Sequence, residues 1–562
     1  MTGYEQGSSS VCECRHDDAL QAKDKVQFAG QDELFGFPAA TLAVAVDFRS
    51  SWLSSQRYIG RIMRFLMFKA LAIVLLFSAA TNLARATTYY VANSGSDKNN
   101  CTSATTPCQT IAHAATLAVS PGDVVQITAG TYNESPTFTS SGASGKPITF
   151  RGQNGSGCPT TAISDVNSPT GTHPASTVTV TGGFTIAANY IAIDCLHVVT
   201  TGSGIFNVNS GTTGGSISNI DMDGKGCTTC GGGIYFAGVG SVPSSQYASN
   251  YTITNNYIHG LSNGFYGPCS SCLVTGNEIT ALFGDEPGTD HDYIDAWGIG
   301  TAFRHNYMHA NTCNSCEGYD CHMDCIQSWN TTGDGTEVAK NTVFDRNVCF
   351  NHHEGVIVQD NAGNGDVSGW TVTNNVFAYG PYDDGSGHLC VAGTVHPWCW
   401  IFQDGALGSN FFDNNTCVDG AEGFEQMSSG SAQFKNNLFL SLGNDTSVYQ
   451  TGSGGSVTGS NNLYYAVNGT FSGGTFSGDI VNKNPAPISI GTGSANEQCI
   501  GCNFNLQSTS AAIDAGTVTS PLVTVDLLGT PRPQGPAFDI GAYEFIPTKK
   551  PSAPTALTGV VH

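Results

Sequence analysis

Three segments of this 562-residue chain concentrate side chains that could do chemistry. The first reads Asp290-His291-Asp292-Tyr293-Ile294-Asp295-Ala296-Trp297. The second reads His322-Met323-Asp324-Cys325-Ile326-Gln327-Ser328-Trp329. The third reads His352-His353-Glu354-Gly355-Val356-Ile357-Val358-Gln359. Asp295 and Gln327 stand 32 residues apart, and so do Gln327 and Gln359. In a solenoid this equal spacing predicts one polar row with neighbours about 4.8 Å apart. Asp292 with Asp324, and Trp297 with Trp329, share it. Paired carboxylates can act as general acid and base. They can also take Ca2+ through oxygen ligands, with Asp292, Asp295 and Asp324 as the set. Histidines such as His291, His322 and His353 titrate near neutral pH. Trp297 and Trp329 offer faces to sugar rings, beside Gln327 and Gln359 as polar anchors. A stacked solvent-facing ladder without chemistry is the competing reading.

Cations separate the possible reactions. Removing the C5 proton of a uronic acid needs a base, for which His322 and Lys340 are candidates. It also needs a cation for the sugar carboxylate, which Arg304, Arg346 or Ca2+ could supply. Hydrolysis would instead use two of Asp292, Asp295, Asp324 and Glu354. Arg304 and Arg346 fit surface salt bridges equally well. The chain carries 44 acidic and 21 basic residues, a formal charge of -23. A polyanion is repelled unless a metal mediates, so either Ca2+ is used or the glycan is neutral. The same imbalance excludes a nucleic-acid partner, whose phosphates need clustered Lys and Arg.

Repetition predicts the elements that hold these residues. An Asn leads an alternating strand at Asn256, Asn277, Asn306, Asn347, Asn375, Asn415, Asn437 and Asn462. A second unit reads Gly233-Ile234-Tyr235, Gly264-Phe265-Tyr266, Tyr293-Ile294-Asp295, Cys325-Ile326-Gln327 and Gly355-Val356-Ile357. Gln403 and Gln426 could extend its polar row. Short period-2 strands with Gly and Asn turns every 20–30 residues mean a parallel β-solenoid, each coil completing its core on the next. Asn at a fixed turn position fits left-handed backbone and side-chain ladders. A β-propeller would need tighter periodicity. The 69 glycines and 40% hydrophobic content fit one long β structure with a large core, so the length need not mean several domains.

Met63 to Lys69 forms a basic stretch, Ala70 to Ala80 an apolar run, and Ala84-Arg85-Ala86 a small-x-small site. That pattern predicts a secretory signal peptide over 63–86. Residues 1–62 are expected to be a misassigned or disordered extension. A mature chain from Thr87 holds 12 basic and 36 acidic residues and no further membrane-length apolar run. Its cysteines, including Cys227/Cys230, Cys269/Cys272, Cys313/Cys316 and Cys499/Cys502, are expected to form disulfides after export. Cys101 and Cys108 would staple a loop. Cys313-x2-Cys316-x4-Cys321-His322-x2-Cys325 has the spacing of a zinc knuckle, which export disfavours.

The opening segment Tyr89 to Tyr132 resembles the N-terminal cap of secreted right-handed parallel β-helix proteins of the pectate-lyase-like superfamily. The ending resembles the final segment of β-helix proteins termed choice-of-anchor Q. Its residues are Ala511-Ala512-Ile513-Asp514-Ala515-Gly516, Asp526, Gly529-Thr530-Pro531-Arg532-Pro533 and Asp539-Ile540-Gly541-Ala542-Tyr543-Glu544. The resemblance implies an all-β, right-handed parallel β-helix with an N-terminal cap helix. Cap and first coils would fill 87–176, the helix with its closing segment 177–545, and a tail 546–562. It also implies a carbohydrate-active secreted protein, expected to be a polysaccharide lyase cleaving a uronate-containing glycan by β-elimination. A glycoside hydrolase and a non-catalytic glycan-binding solenoid are the alternatives. The expected partner is a polysaccharide, with no nucleic acid, no membrane span and a monomeric state. The Asn-Thr-Asp, Gly-His-Gly and Arg-Ile-Lys motifs of pectin hydrolases are absent, as is the Arg-rich strand of pectate lyases.

Overall fold

A two-residue corner sets the architecture. At Asn255-Asn256 the chain leaves the strand Thr252–Thr254 and enters Tyr257–His259. It then forms Phe265–Ser270 and returns to Leu273–Thr275, beside the strand where the coil began. Thr252 pairs with Leu273, Tyr257 with Glu278 and Phe265 with Ile294, all in parallel. Repetition of this coil gives three long parallel sheets, here A, B and C, of 13, 13 and 12 strands among the described residues. The chain is therefore an all-β parallel β-helix. A seven-residue helix, Ile111–Leu117, follows the first strand, with Thr110 accepting the His113 amide at its start. This computed structural model describes residues 85–547 apart from 154–157, 159–172, 174–175, 201, 203, 227–230, 281, 285–291, 310–311, 314–323, 351, 353, 379–398, 404–407, 419–429, 442–455, 468–469, 471–475 and 494–498. No helix among the described residues is long and apolar enough to cross a membrane.

The second corner residue builds a ladder. Asn306 donates its backbone and side-chain N–H to the Asn347 Oδ1, both at 3.0 Å, and its amide also reaches the Val274 carbonyl. The same pattern runs through Asn256, Asn277, Asn306, Asn347, Asn375, Asn415 and Asn437 to Asn462, which donates to Asp479. These side chains are buried and their polar groups are paired, which makes burial tolerable. The left-handed backbone expected of the ladder Asn belongs to the residue before it: Asn255, His305, Arg346, Asn374, Asn414, Asn436 and Asn461 all have φ between 52° and 59°. The ladder residue needs its amide aimed along the helix axis, so the preceding residue makes the bend. Inside, phenylalanines stack coil upon coil, Phe184 on Phe206 at 5.2 Å and Phe412 on Phe434 at 5.1 Å.

The chain closes by returning over its own coils. After an antiparallel hairpin, Pro487–Gly493 with Cys499–Leu506, an irregular segment places Leu527, Ala542 and Tyr543 against Tyr307, Val348, Val376 and Val418 on the outer face of sheet B. The Arg532 side chain is fully buried there. It donates to Glu544 at 2.9 Å, to the Gly541 carbonyl at 2.8 Å and to the corner residue Asn374 at 3.1 Å. Asp526 and Asp539 accept backbone amides from the same segment. Five disulfides join described residues: Cys101–Cys108, Cys158–Cys195, Cys269–Cys272, Cys325–Cys349 and Cys399–Cys417. Cys325 is thus bonded to Cys349, which removes it from the zinc-knuckle spacing.

Candidate functional site

Sheet C carries the chemistry-bearing segments on its outer face. Along its strands Ile294, Ala296, Ile326 and Ser328 point into the core, so the alternate residues Asp295, Trp297, Gln327 and Trp329 point outward. Asp295 pairs in register with Gln327. The expected third member of the row is corrected: Gln327 pairs in register with Ile357, and Gln359 pairs instead with Trp329 and then with Gln403. Successive coils differ in length, so equal sequence spacing does not give equal register. Gln359 still faces outward because it lies two residues beyond Ile357.

The carboxylates divide into two kinds. Asp292 accepts the backbone amide of Asp324 at 2.6 Å, and Asp324 that of Glu354 at 3.0 Å. Those three form a buried carboxylate-to-amide stair at the edge of sheet C. Asp295 stands apart on the outer row, 1% exposed, and accepts from Asn263 Nδ2 at 2.9 Å. Asp292, Asp295 and Asp324 do not bring one oxygen each within 4.8 Å of one another. The only His, Cys, Asp or Glu trio among the described residues with donor atoms within 4.8 Å of one another is Cys101, Cys108 and His113, two of them disulfide-bonded.

The expected cations are not brought to Asp295. Arg304 lies on sheet A, and Arg346 at the corner after it; both face Asp345, at 4.0 and 2.9 Å. Lys340 lies on the short strand Ala339–Lys340, paired with Ile299 and Ser368, and donates to Asp366 at 2.9 Å. Ile299 is four residues from Asp295 along one strand, about 13 Å. Trp297, expected as a sugar platform, is 2% exposed and donates its indole N–H to the Trp329 carbonyl. Bulk on the next coil covers it. His291, His322 and His353 lie outside the described residues, as do the signal segment before Arg85, Cys316, Cys321, Gln426 and the tail beyond 547.

Two further features of the outer faces were not expected from the sequence. On the outer row of sheet C, Tyr235 and Tyr266 precede Asp295 in register. Their rings stack at 5.4 Å, and Tyr266 meets Trp297 edge-on at 5.6 Å. Tyr235 is 37% exposed, so this end of the aromatic strip is open. The signal was present: the third residue of the second repeat unit is the outward one from Tyr235 onward.

The other feature is a strip on the outer face of sheet B, where histidines and carboxylates alternate coil by coil: His197, then Asp221 and Asp223, then His259, then Glu278, then His309. His259 contacts Asp221 at 2.9 Å, and His197 lies 3.7–3.8 Å from Asp223 and Asp221. Glu278 bridges His309 at 2.9 Å and His173 at 3.1 Å. Burial pushes Glu278 up, but the hydrogen bonds from His173 and His309 outweigh it and hold the carboxyl at about 2. The bond to Glu278 raises His173. Burial likewise pushes Asp223 up, and the hydrogen bonds from Lys225 outweigh it and lower it. These positions are the residues flanking the apolar one after each corner, so their alternation could also be read from the repeats. A separate cavity of about 390 Å3 on sheet A is lined by Gln126, Arg151, Asp194 and Asn219, with Arg151 held by Asp194 at 2.7 Å.

No protein-family description matches the sequence, and no curated protein does. Solved structures do resemble it. The pectate lyase Pel9A is 16% identical over 82% of this chain and 97% of its own, with a TM-score of 0.42. XylC in complex with xylose is 12% identical over 81% and 98%, with a TM-score of 0.42. PfbA, a surface adhesin of Streptococcus pneumoniae, is 12% identical over 64% and 89%, with a TM-score of 0.38. At such identities the likeness carries no reaction across.

Proposed function

We propose that the protein is a carbohydrate-active β-helix that holds a polysaccharide along the outer face of sheet C, with Asp295 as its central polar group. One observation carries this reading: an outward row runs from the open Tyr235–Tyr266 stack into Asp295 and Gln327. Aromatic surface beside a few fixed polar groups is what sugar rings require. Hydrolysis fits the described groups better than β-elimination. Asp295 would act with a second carboxylate from Asp292, Asp324 or Glu354, whereas Lys340, Arg304 and Arg346 are engaged elsewhere. β-elimination keeps His322 as its base. The burial of Asp295 and its bond to Asn263 favour a second reading, glycan binding without cleavage.

A panel of purified polysaccharides incubated with the full chain and with Asp295→Asn separates the three. New reducing ends without ultraviolet-absorbing unsaturated ends mean hydrolysis, and both together mean β-elimination. Either activity should fall about 100-fold or more in Asp295→Asn if that carboxylate does acid–base work. Retention of glycan by both proteins with no cleavage establishes the binding reading.

A further inference from the structure

We infer that the sheet C face takes a neutral glycan and excludes uronate polymers; this deepens, and rests on, the reading of that face as the glycan site. Charge is the first ground. Residues 226–434, which supply the coils around Asp295, hold 22 carboxylates and three cations. Arg304 and Arg346 face Asp345 on the sheet A side, and Lys340 is held by Asp366. A polymer with a carboxylate on every ring would enter a field of its own sign with no free counter-charge among these cations.

The chemistry of the row is the second ground. From the N-terminal side its members are Thr185, Asn207, Tyr235, Tyr266, Asp295 and Gln327. All but Asp295 are uncharged. Gln327 is 5% exposed, and its Oε1 has no hydrogen-bond partner among the described residues. An amide next in register to the carboxylate adds no positive charge to the row, which a uronate would need and a neutral sugar does not. The coil rise of about 4.8 Å is of the order of one sugar ring, so neighbouring rings of a glycan laid along the axis would meet the outer edges of the stacked Tyr235 and Tyr266 rings in turn.

Affinity electrophoresis of the full chain tests this against soluble xylan, galactomannan and hydroxyethyl cellulose, and against polygalacturonate and alginate, each with Ca2+ and with EDTA. Tyr235→Ala, at an open position, and Tyr235→Phe are run beside the wild type, with thermal unfolding as the check of folding. The expected result is retardation by at least one neutral glycan, weakened about 10-fold in Tyr235→Ala, kept in Tyr235→Phe, and no retardation by either uronate polymer. Retardation by polygalacturonate or alginate that Tyr235→Ala removes, with or without Ca2+, overturns the inference and leaves the site reading standing. Neutral-glycan retardation unchanged in Tyr235→Ala also overturns it. Retardation by neither class removes the site reading itself, and the inference with it.

Discussion

Glu278 sits between two imidazoles, His173 and His309, on a face that also carries Asp221, Asp223, His197, His259 and Lys225. The direction of its pH effect follows from the two shifts. Its carboxyl is held at about 2, below its ordinary 4.5, so its stabilisation is complete above 4.5 and is lost as pH falls toward 2. His173 is raised above its ordinary 6.5, so its share is complete below 6.5 and is lost as pH rises through the raised value. The contact is therefore strongest between about pH 4.5 and 6.5. Glu278→Gln should bring His173 back toward its ordinary titration, read by NMR of the imidazole protons, and flatten the acid limb of thermal stability. An unchanged His173 titration in that variant would show that the shift comes from elsewhere.

The Asn ladder shows what an element can reveal from sequence alone. All eight ladder asparagines are visible as a repeat, because each coil must offer an amide at the same corner and few residues both donate and accept there. Removing one strands its neighbours. Asn347→Ala leaves the buried Asn306 amide, the Phe303 carbonyl and one donor-seeking oxygen of Asn375 short of partners. Each such group costs about 1–3 kcal/mol, so urea unfolding should show a loss of at least about 3 kcal/mol. A loss under 1 kcal/mol would mean the corner does not depend on its amide. Cross-coil register was less legible. Gln327 and Gln359 share a spacing with Asp295 and Gln327, yet the coil from Ile326 to Val356 is two residues shorter than that from Ile294 to Ile326. Insertions between sheets absorb any number of residues without changing the strands. Ion-pair partners were illegible for a related reason: Lys340 meets Asp366 only because Ala339–Lys340 pairs with Val367–Ser368 across a coil.

At the scale of the molecule, the closing segment covers one half of sheet B and leaves the other to the His–carboxylate strip. The division is written in the outward positions: apolar Val348, Val376 and Leu438 where the cover lies, titratable Asp221 and Glu278 where it does not. The residues that resembled a family ending, Asp514, Asp526, Arg532, Asp539 and Glu544, turn out to form the network that fastens it. Arg532→Ala removes one partner of a fully buried ion pair, so a loss of about 3–5 kcal/mol is expected. Limited proteolysis should then cut within 507–545 before the coils are touched. Burial also raises the Asp539 carboxyl to about 6. A raised acid holds its proton in the folded state, so its contribution is complete below its ordinary 3.8 and is lost as pH rises through about 6. Asp539→Asn should remove that slope from the stability profile.

The fastening also orders assembly in time. Arg532 reaches Asn374 across 158 residues, and the Ala542 amide reaches Thr416 across 126. Contacts between neighbouring coils span about 20–40 residues and can form as each coil leaves the ribosome. The long-range clasp cannot exist until Arg532 and Ala542 have been made. The nascent helix must therefore stand with the apolar half of sheet B uncovered, and this stretch is where a stalled or truncated chain would be expected to self-associate.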